Sequence, residues 1–546
     1  MAFLQDAPQL PHPFRSDRVL RSLLDRTVSA ERRAALDADL DALGDYALHA
    51  WHRTGESVRH KPVLTTWDAW GRRVDRIELT DAWREGPGNT TRHAVLAAGH
   101  EAHPDARLEA FARVYLYHLA SEFYTCPLAM TDGAATALKA SGNAALIERA
   151  VPHFLSRDPA TFWLSGQWMT ETAGGSDVGR TETVARCDDS GQWRLYGRKW
   201  FSSAVVGEAA LALARPEGAG RGTGALALFY VETMDSGRRR PELAIDRLKD
   251  KLGTHELPTA EIHLDGLPAW PVGELANGVR QVAPMLNVTR TWNAICAVAS
   301  MARAIALARD YATRRLAFGR PLIEHPLHAQ TLAGMQAEFE GAFALSFEVA
   351  HLLGRVEHGA ADPHEAALLR LLTPLAKLWT GKLAVKLCSE ALECFGGAGY
   401  IEDTGLPQLL RDAQVYAIWE GTTNVLSLDA LRGLGDGLHA LRHAVAGWTR
   451  DAGDRACVQA IHTALDTASA FLDRQGDHRD TLEAGARGLA LTLARCAAAA
   501  LLARQAGWAD ARGDRRSGAA LRRFVQHGLV RLHWPDRDDT ALLLGD

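Results

Sequence analysis

The chain has 546 residues, 47% hydrophobic and 23% charged, with a formal net charge of −5. At roughly 100–200 residues per domain, that is room for about three or four cores. The composition excludes a chain disordered throughout, and without an overall basic excess any contact with nucleic acid must come from a local patch.

Seven cysteines, at 126, 187, 296, 388, 394, 457 and 496, include no Cys-x-x-Cys pair. That disfavours a zinc cluster or a dithiol redox motif and fits reduced thiols in a cytosol. The first residues carry neither a basic head nor a long apolar run, so no secretory signal is expected. The most apolar stretch, 488–503, is cut by Arg495 and is shorter than the ~20 residues needed to span a bilayer. The expectation is a cytoplasmic protein with no membrane contact.

In chain order, residues 16 to about 160 read mostly as helix, with Ser16-Asp17 as an N-cap before Val19-Leu20 and Leu23-Leu24. An irregular stretch near 60–90, with Trp, Pro and Gly, interrupts it. Between 165 and 275 the apolar runs become short, as in 193–196, 209–214, 225–231 and 259–264, with turn residues between them. Such spacing predicts an antiparallel barrel or sandwich and disfavours a doubly wound nucleotide-binding core. From 277 the helical period returns, with candidate helices at 277–315, 325–357, 363–395 and 423–432. The run Gly433-Leu-Gly-Asp-Gly437 reads as a linker, and 438–532 is helical again. The fold class is therefore mainly α with a central antiparallel barrel or sandwich and an extra C-terminal helical domain. The expected domains are 1–164, 165–276, 277–435 and 436–546.

Five constellations could carry chemistry. Met169-Thr-Glu-Thr-Ala-Gly-Gly-Ser-Asp177 opens the β-region. Its glycines permit close backbone approach, and Thr170 and Ser176 supply hydroxyls, although a polar turn has the same composition. Gly197-Arg-Lys-Trp-Phe-Ser-Ser203 sets a large aromatic beside small hydroxyls, suiting a flat heteroaromatic ring as well as an ordinary amphipathic strand. Arg315-Leu-Ala-Phe-Gly-Arg-Pro321 closes a long helix; its arginines fit either a diphosphate or the helix dipole. Phe395-Gly-Gly-Ala-Gly-Tyr400 follows an apolar helix and lacks the preceding strand of a dinucleotide fingerprint. In Ile418-Trp-Glu-Gly-Thr-Thr-Asn424 one Glu lies in an apolar segment before a helix start. Desolvation can raise such a carboxylate into the range of a working base, and the helix dipole can equally account for it. The alternating glycines at 218–224 read as a hairpin loop.

Taken in order, these motifs resemble the acyl-CoA dehydrogenase superfamily over about 1–435. The resemblance implies that the centre is an antiparallel β-barrel. It also implies FAD between the β-domain and the third domain, and an acyl-CoA substrate, short or branched, stacked on it. Glu420 would abstract the α-proton while flavin N5 takes the β-hydride. Some members carry their base on the helix that opens the third domain; here that position is Thr289, which cannot serve. The resemblance assigns FAD to Met169, Thr170, Ser176, Phe201, Ser202, Ser203, Arg315, Phe318, Glu393, Gly396, Gly397, Thr422 and Asn424. It assigns substrate to Ser176, Arg290 and Gly421. Arg315 and Phe318, with Glu393, Gly396 and Gly397, would reach the FAD of a neighbouring subunit, which implies at least a dimer; the resemblance makes a homotetramer the expected assembly. Phe201, Ser203 and Glu393 depart from the more usual Trp, Thr and Gln.

The additional C-terminal domain resembles the AidB-like, adaptive-response branch, as do Trp67-Asp-Ala-Trp-Gly-Arg-Arg73, Lys199-Trp-Phe, Arg247-Leu-Lys-Asp-Lys-Leu-Gly253 and Cys394-Phe-Gly-Gly. That branch implies an alternative: a flavoprotein that binds double-stranded DNA, with weak or vestigial dehydrogenase activity. At 100° per residue, Arg512, Arg515, Arg516, Arg522 and Arg523 fall within an arc of about 120° on one helix, a stripe that could meet phosphates. A solvated helix face with paired arginines has the same pattern.

Overall fold

A computed structural model describes residues 6–56, 60–475, 478–534 and 536–545. The chain forms two compact units: 1–48, 102–115 and 293–546 make one, and 49–101 with 116–292 the other.

The second unit is built around a β-barrel. Its strands Val184–Cys187, Trp193–Ser203, Ala209–Pro216, Ala227–Glu232 and Thr259–Pro271 pair in a closed ring. Leu243–Leu248 extends the ring beside Thr259–Pro271, and Ser165–Trp168 beside Ala209–Pro216. Most pairings are antiparallel, as the short alternating runs imply. Ala209–Pro216 instead runs parallel to both Val184–Cys187 and Ser165–Trp168. Leu195, Ala212, Phe229, Val231, Ile245, Ile262, Leu264 and Leu267 fill the interior, so period-two alternation sets the inside of the barrel. The irregular stretch at 60–90 contains a hairpin, Val63–Trp67 with Arg73–Glu78, and the helix Asp81–Arg92. Asp75 accepts the backbone N–H of Ile245 at 2.9 Å, fastening the hairpin to the barrel. The glycines at 218–224 do form a loop between paired strands, held where Arg215 donates to the Gly220 carbonyl at 2.5 Å.

The first unit is helical. Pro326–Glu357, Pro363–Cys394 and Arg479–Asp510 each run 32 residues. Asp362 and Glu365 form a reciprocal capping box, with Pro363 at the first turn. Helix Pro326–Glu357 carries four glutamates, each met by an arginine. Glu338 pairs with Arg495, Glu340 with Arg18, Glu348 with Arg504 and Glu357 with Arg107. Arg495 thus lies buried inside the apolar stretch 488–503 because Glu338 neutralises it. Helices Ala283–Arg314 and Arg479–Asp510 are both long and apolar enough to cross a bilayer; 83% and 89% of their most apolar windows are buried in protein, as in core helices.

The 433–437 segment is not a linker. A helix, Leu434–Trp448, starts at once, and a Cβ on Gly437 would lie 3.0 Å from Leu371 Cβ. That glycine permits close packing on helix Pro363–Cys394, so the C-terminal helices join the core of this unit.

Candidate functional site

On the barrel, Thr170 and Phe201 ride on neighbouring segments. Glu171 and Gly174 exchange backbone hydrogen bonds at 3.3 and 3.2 Å, closing a tight turn. A Cβ on Gly174 would come within 2.4 Å of the Asp177 carbonyl, while Gly175 has only Thr170 Cγ2 nearby, at 3.7 Å. Gly174 is therefore required by the turn itself, and Gly175 leaves open space above it. Ser176 is exposed, and Met169 and Thr170 are half-buried.

Strand Trp193–Ser203 contains a bulge that its sequence does not announce. Lys199 pairs with Ile262 and Ser202 with Ala260, so two residues, Trp200 and Phe201, oppose one. The bulge reverses the alternation. Lys199 and Ser202 face inward, at 1% and 0% exposure, and Phe201 is 52% exposed. Lys249 Nζ sits 3.2 Å from the Trp200 ring centroid and 4.7 Å from that of Phe201, holding both rings by cation–π attraction. Ser203 Oγ lies 3.0 Å from Thr259 Oγ1. Of the two adjacent serines, Ser203 is half-buried and Ser202 fully buried. Ser202 Oγ is buried in the barrel wall.

Two charged residues with no role assigned from sequence hold this surface. Glu171 Oε1 accepts from Lys199 Nζ at 2.5 Å and from Thr183 Oγ1 at 2.6 Å; Oε2 accepts from the Glu182 N–H at 2.6 Å. Lys199 also donates to the Leu213 carbonyl at 2.7 Å. Burial pushes the Lys199 ammonium below its usual range, and Glu171 opposes that shift. The available signal was Lys199 itself, a charge in phase with buried Leu195.

Thr289 is buried, and a Cβ on Gly133 would stand 3.3 Å from its Cγ2. Arg290, the next residue, is half-buried in the same helix.

In the helical unit, Glu420 has φ 56° and Gly421 φ 106°. A non-glycine residue in left-handed backbone is held there by its surroundings. Lys377, fully buried, donates to the Gly421 carbonyl at 2.6 Å. The Trp419 indole donates to Asn293 Oδ1, and Asn293 Nδ2 donates to the Tyr416 carbonyl at 3.3 Å. A Cβ on Gly381 would meet the Tyr416 carbonyl at 2.6 Å, so that glycine lets helix Pro363–Cys394 lie against the turn. Thr422 is the N-cap of helix Thr423–Arg432, with Asn424 exposed in its first turn. Lys377 and Asn293, both far from 420 in sequence, carried no local signal.

Arg315 follows helix Ala283–Arg314 and leads into a small hairpin whose tip, Phe318-Gly319, has φ 49° and 85°. Phe318 is 98% exposed. Glu393, Gly396 and Gly397 are exposed where helix Pro363–Cys394 gives way to a 3-10 turn. A Cβ on Gly396 or Gly397 would meet nothing within 4 Å, whereas one on Gly399 would strike the Leu392 carbonyl at 2.0 Å.

The five C-terminal arginines do not form one stripe. Helix Arg479–Asp510 ends before them, Gly513 turns the chain at φ 80°, and a new helix runs Arg516–Gln526 with Arg515 as its N-cap. Arg512 lies 4.1 Å from the Trp508 ring centroid, Arg516 pairs with Asp514 at 2.8 Å, and Arg522 is 3.7 Å from Asp454. Arg523 donates to Gln330.

The sequence matches four domain families in succession: the adaptive response protein AidB N-terminal domain over 9–158, the acyl-CoA dehydrogenase middle domain over 166–267, the acyl-CoA dehydrogenase C-terminal domain over 276–435, and the acyl-CoA dehydrogenase 11 C-terminal domain-like family over 441–540. It is 39% identical to acyl-CoA dehydrogenase family member 11 of Caenorhabditis elegans, over 97% of this chain and 90% of that protein. It is 34% identical to AidB of Escherichia coli strain K12, over 68% and 69% of the two chains. The crystal structure of Caenorhabditis elegans ACDH-11 in complex with C11-CoA superimposes with a TM-score of 0.95 at 37% identity, covering 100% of this chain and 97% of that one. The chain belongs to the acyl-CoA dehydrogenase family, on its AidB-related side, and is an oxidoreductase whose cofactor is FAD.

Proposed function

We propose that the protein oxidises an acyl-CoA to the trans-2-enoyl thioester, with Glu420 as the base that removes the α-proton. The observation that carries this reading is the left-handed backbone at Glu420, braced by Lys377 and Trp419. Strain of about 1–3 kcal/mol persists where surrounding contacts over-determine it, and here it aims one carboxylate.

The residues present fit a flavin. Phe201 offers an exposed ring, Thr170 and Ser203 are half-buried hydroxyl residues, and Gly175 carries no Cβ beside Thr170. FAD, when bound, accepts the β-hydrogen as hydride. Met169, Thr170 and Ser203 would orient its ring edge and Phe201 would cover its face; Thr422 and Asn424 are the further residues that the family resemblance assigns to it. Ser176, Arg290 and the Gly421 backbone would hold the thioester and its anionic carrier. Exposed Phe318, with Arg315, Glu393, Gly396 and Gly397, supports their use on a neighbouring subunit's FAD, and hence at least a dimer, with a homotetramer as the proposed assembly. The complex of the related ACDH-11 makes C11-CoA the first acyl length to test.

The experiment is anaerobic reduction of the bound flavin by a panel of acyl-CoA thioesters. Bleaching is expected near eleven carbons. Glu420→Gln should slow it by roughly 10²–10⁴-fold, the usual contribution of a positioned base. Unchanged bleaching in that variant, or none with any thioester, would refute the reading.

A further inference from the structure

Thr170 and Phe201, both proposed to face the flavin, lie on separate segments: a loop after the first barrel strand and a bulge near the end of strand Trp193–Ser203. A single backbone hydrogen bond joins them, from the Trp200 N–H to the Thr170 carbonyl at 2.9 Å. That N–H belongs to the bulge, where the regular ladder is interrupted. Directly beside the bond on each chain stands a buried charge, Lys199 before Trp200 and Glu171 after Thr170. Their contacts fill the inside of the junction: Glu171 takes Thr183 and the Glu182 N–H, and Lys199 takes the Leu213 carbonyl. Neither residue is on the exposed face that carries Phe201.

We propose that Lys199 and Glu171 are positioning residues that set loop and bulge in register, so that Thr170 and Phe201 form one preassembled flavin platform. Satisfying the same atoms with neutral groups could maintain the fold; fixing the register requires a short, directional pair joining these two segments. The proposal rests on the flavin reading above for what the platform receives.

The test compares the wild type with Lys199→Met/Glu171→Gln, which removes both charges together and leaves an acceptor for Glu182 and Thr183. Two readouts apply: exchange of the Trp200 amide in the FAD-free protein, and the Kd for FAD per folded molecule. The Trp200 amide should be strongly protected in the wild type. In the double variant it should exchange at least about 10-fold faster, and FAD should bind at least about 10-fold more weakly. Lys199→Arg, which keeps the pair but changes its length, should fold and weaken FAD by a smaller factor. The proposal is overturned by a freely exchanging Trp200 amide in the wild type, a result that needs no variant to fold. It is equally overturned if a folded double variant, or Lys199→Arg should the double variant not fold, keeps both readouts within twofold. Neither readout involves an acyl-CoA or Glu420, so this proposal can fail while the dehydrogenase reading stands.

Discussion

The barrel surface and the turn at 420 hold Phe201 and Glu420 by opposite means. On the barrel neither Thr170 nor Phe201 has left-handed backbone, and a buried Lys199–Glu171 pair fixes register from beneath. At the turn the backbone itself is forced into the left-handed region, and Lys377 grips the next carbonyl. A sheet already restrains direction, so what remains to be specified is which residue faces outward. A turn leaves direction open, and specifying it takes a strained φ with a brace.

The largest effect that would break this contrast is on stability. Lys199→Met alone leaves Glu171 buried without its counter-charge and should cost about 3–5 kcal/mol, seen as a lowered denaturant midpoint for the barrel unit. Lys377→Met should be milder, about 1–3 kcal/mol for the donor lost at the Gly421 carbonyl. Its signature should be a fall in the rate of flavin bleaching with little change in FAD affinity. If Lys377→Met lowered FAD affinity and left turnover alone, the division of labour between the two regions would be wrong. Smaller again is Gly421→Ala. A side chain at φ 106° is strained, and its Cβ would press Leu426 Cδ2 at 3.0 Å. About 1–2 kcal/mol of stability, together with slower turnover, should be lost; a neutral result would mean the turn is not tightly held.

Much of this was legible in the residues. The change from 3.6 to 2.0 periodicity near 165, and back near 277, marks the strands from Ser165 to Pro271 and the long helices after them. Helix Thr423–Arg432 begins where the Thr-Thr signal placed it. What stayed hidden was non-local. The bulge at Trp200–Phe201 depends on which residue of strand Thr259–Pro271 lies opposite, and alternation alone would have buried Phe201 with Lys199. The glycines at 433–437 look like a break because their composition is that of a linker; their use, close approach to Leu371, is a property of the partner helix. Arg495 looked like an interruption because Glu338, its partner, is 157 residues away.

The arginine cluster at 512–523 is the sharpest case, and it gives the smallest predicted effect. Its helical arc assumed one continuous helix, and Gly513 at φ 80° ends that continuity. Three of the arginines already have partners in Asp514, Asp454 and Gln330, so a phosphate would have to compete for them. Each phosphate contact contributes through counterion release, and several on one face are needed for salt-sensitive duplex binding. Replacing Arg515, Arg516, Arg522 and Arg523 with Ala should therefore change duplex affinity at low salt by less than about threefold and leave flavin reduction unaltered. A steep loss of binding, with the salt slope falling by about one unit per arginine removed, would favour the DNA reading. It would also mean that the pairs with Asp514 and Asp454 open readily to a stronger anion, as exposed ion pairs worth about 0–1 kcal/mol can.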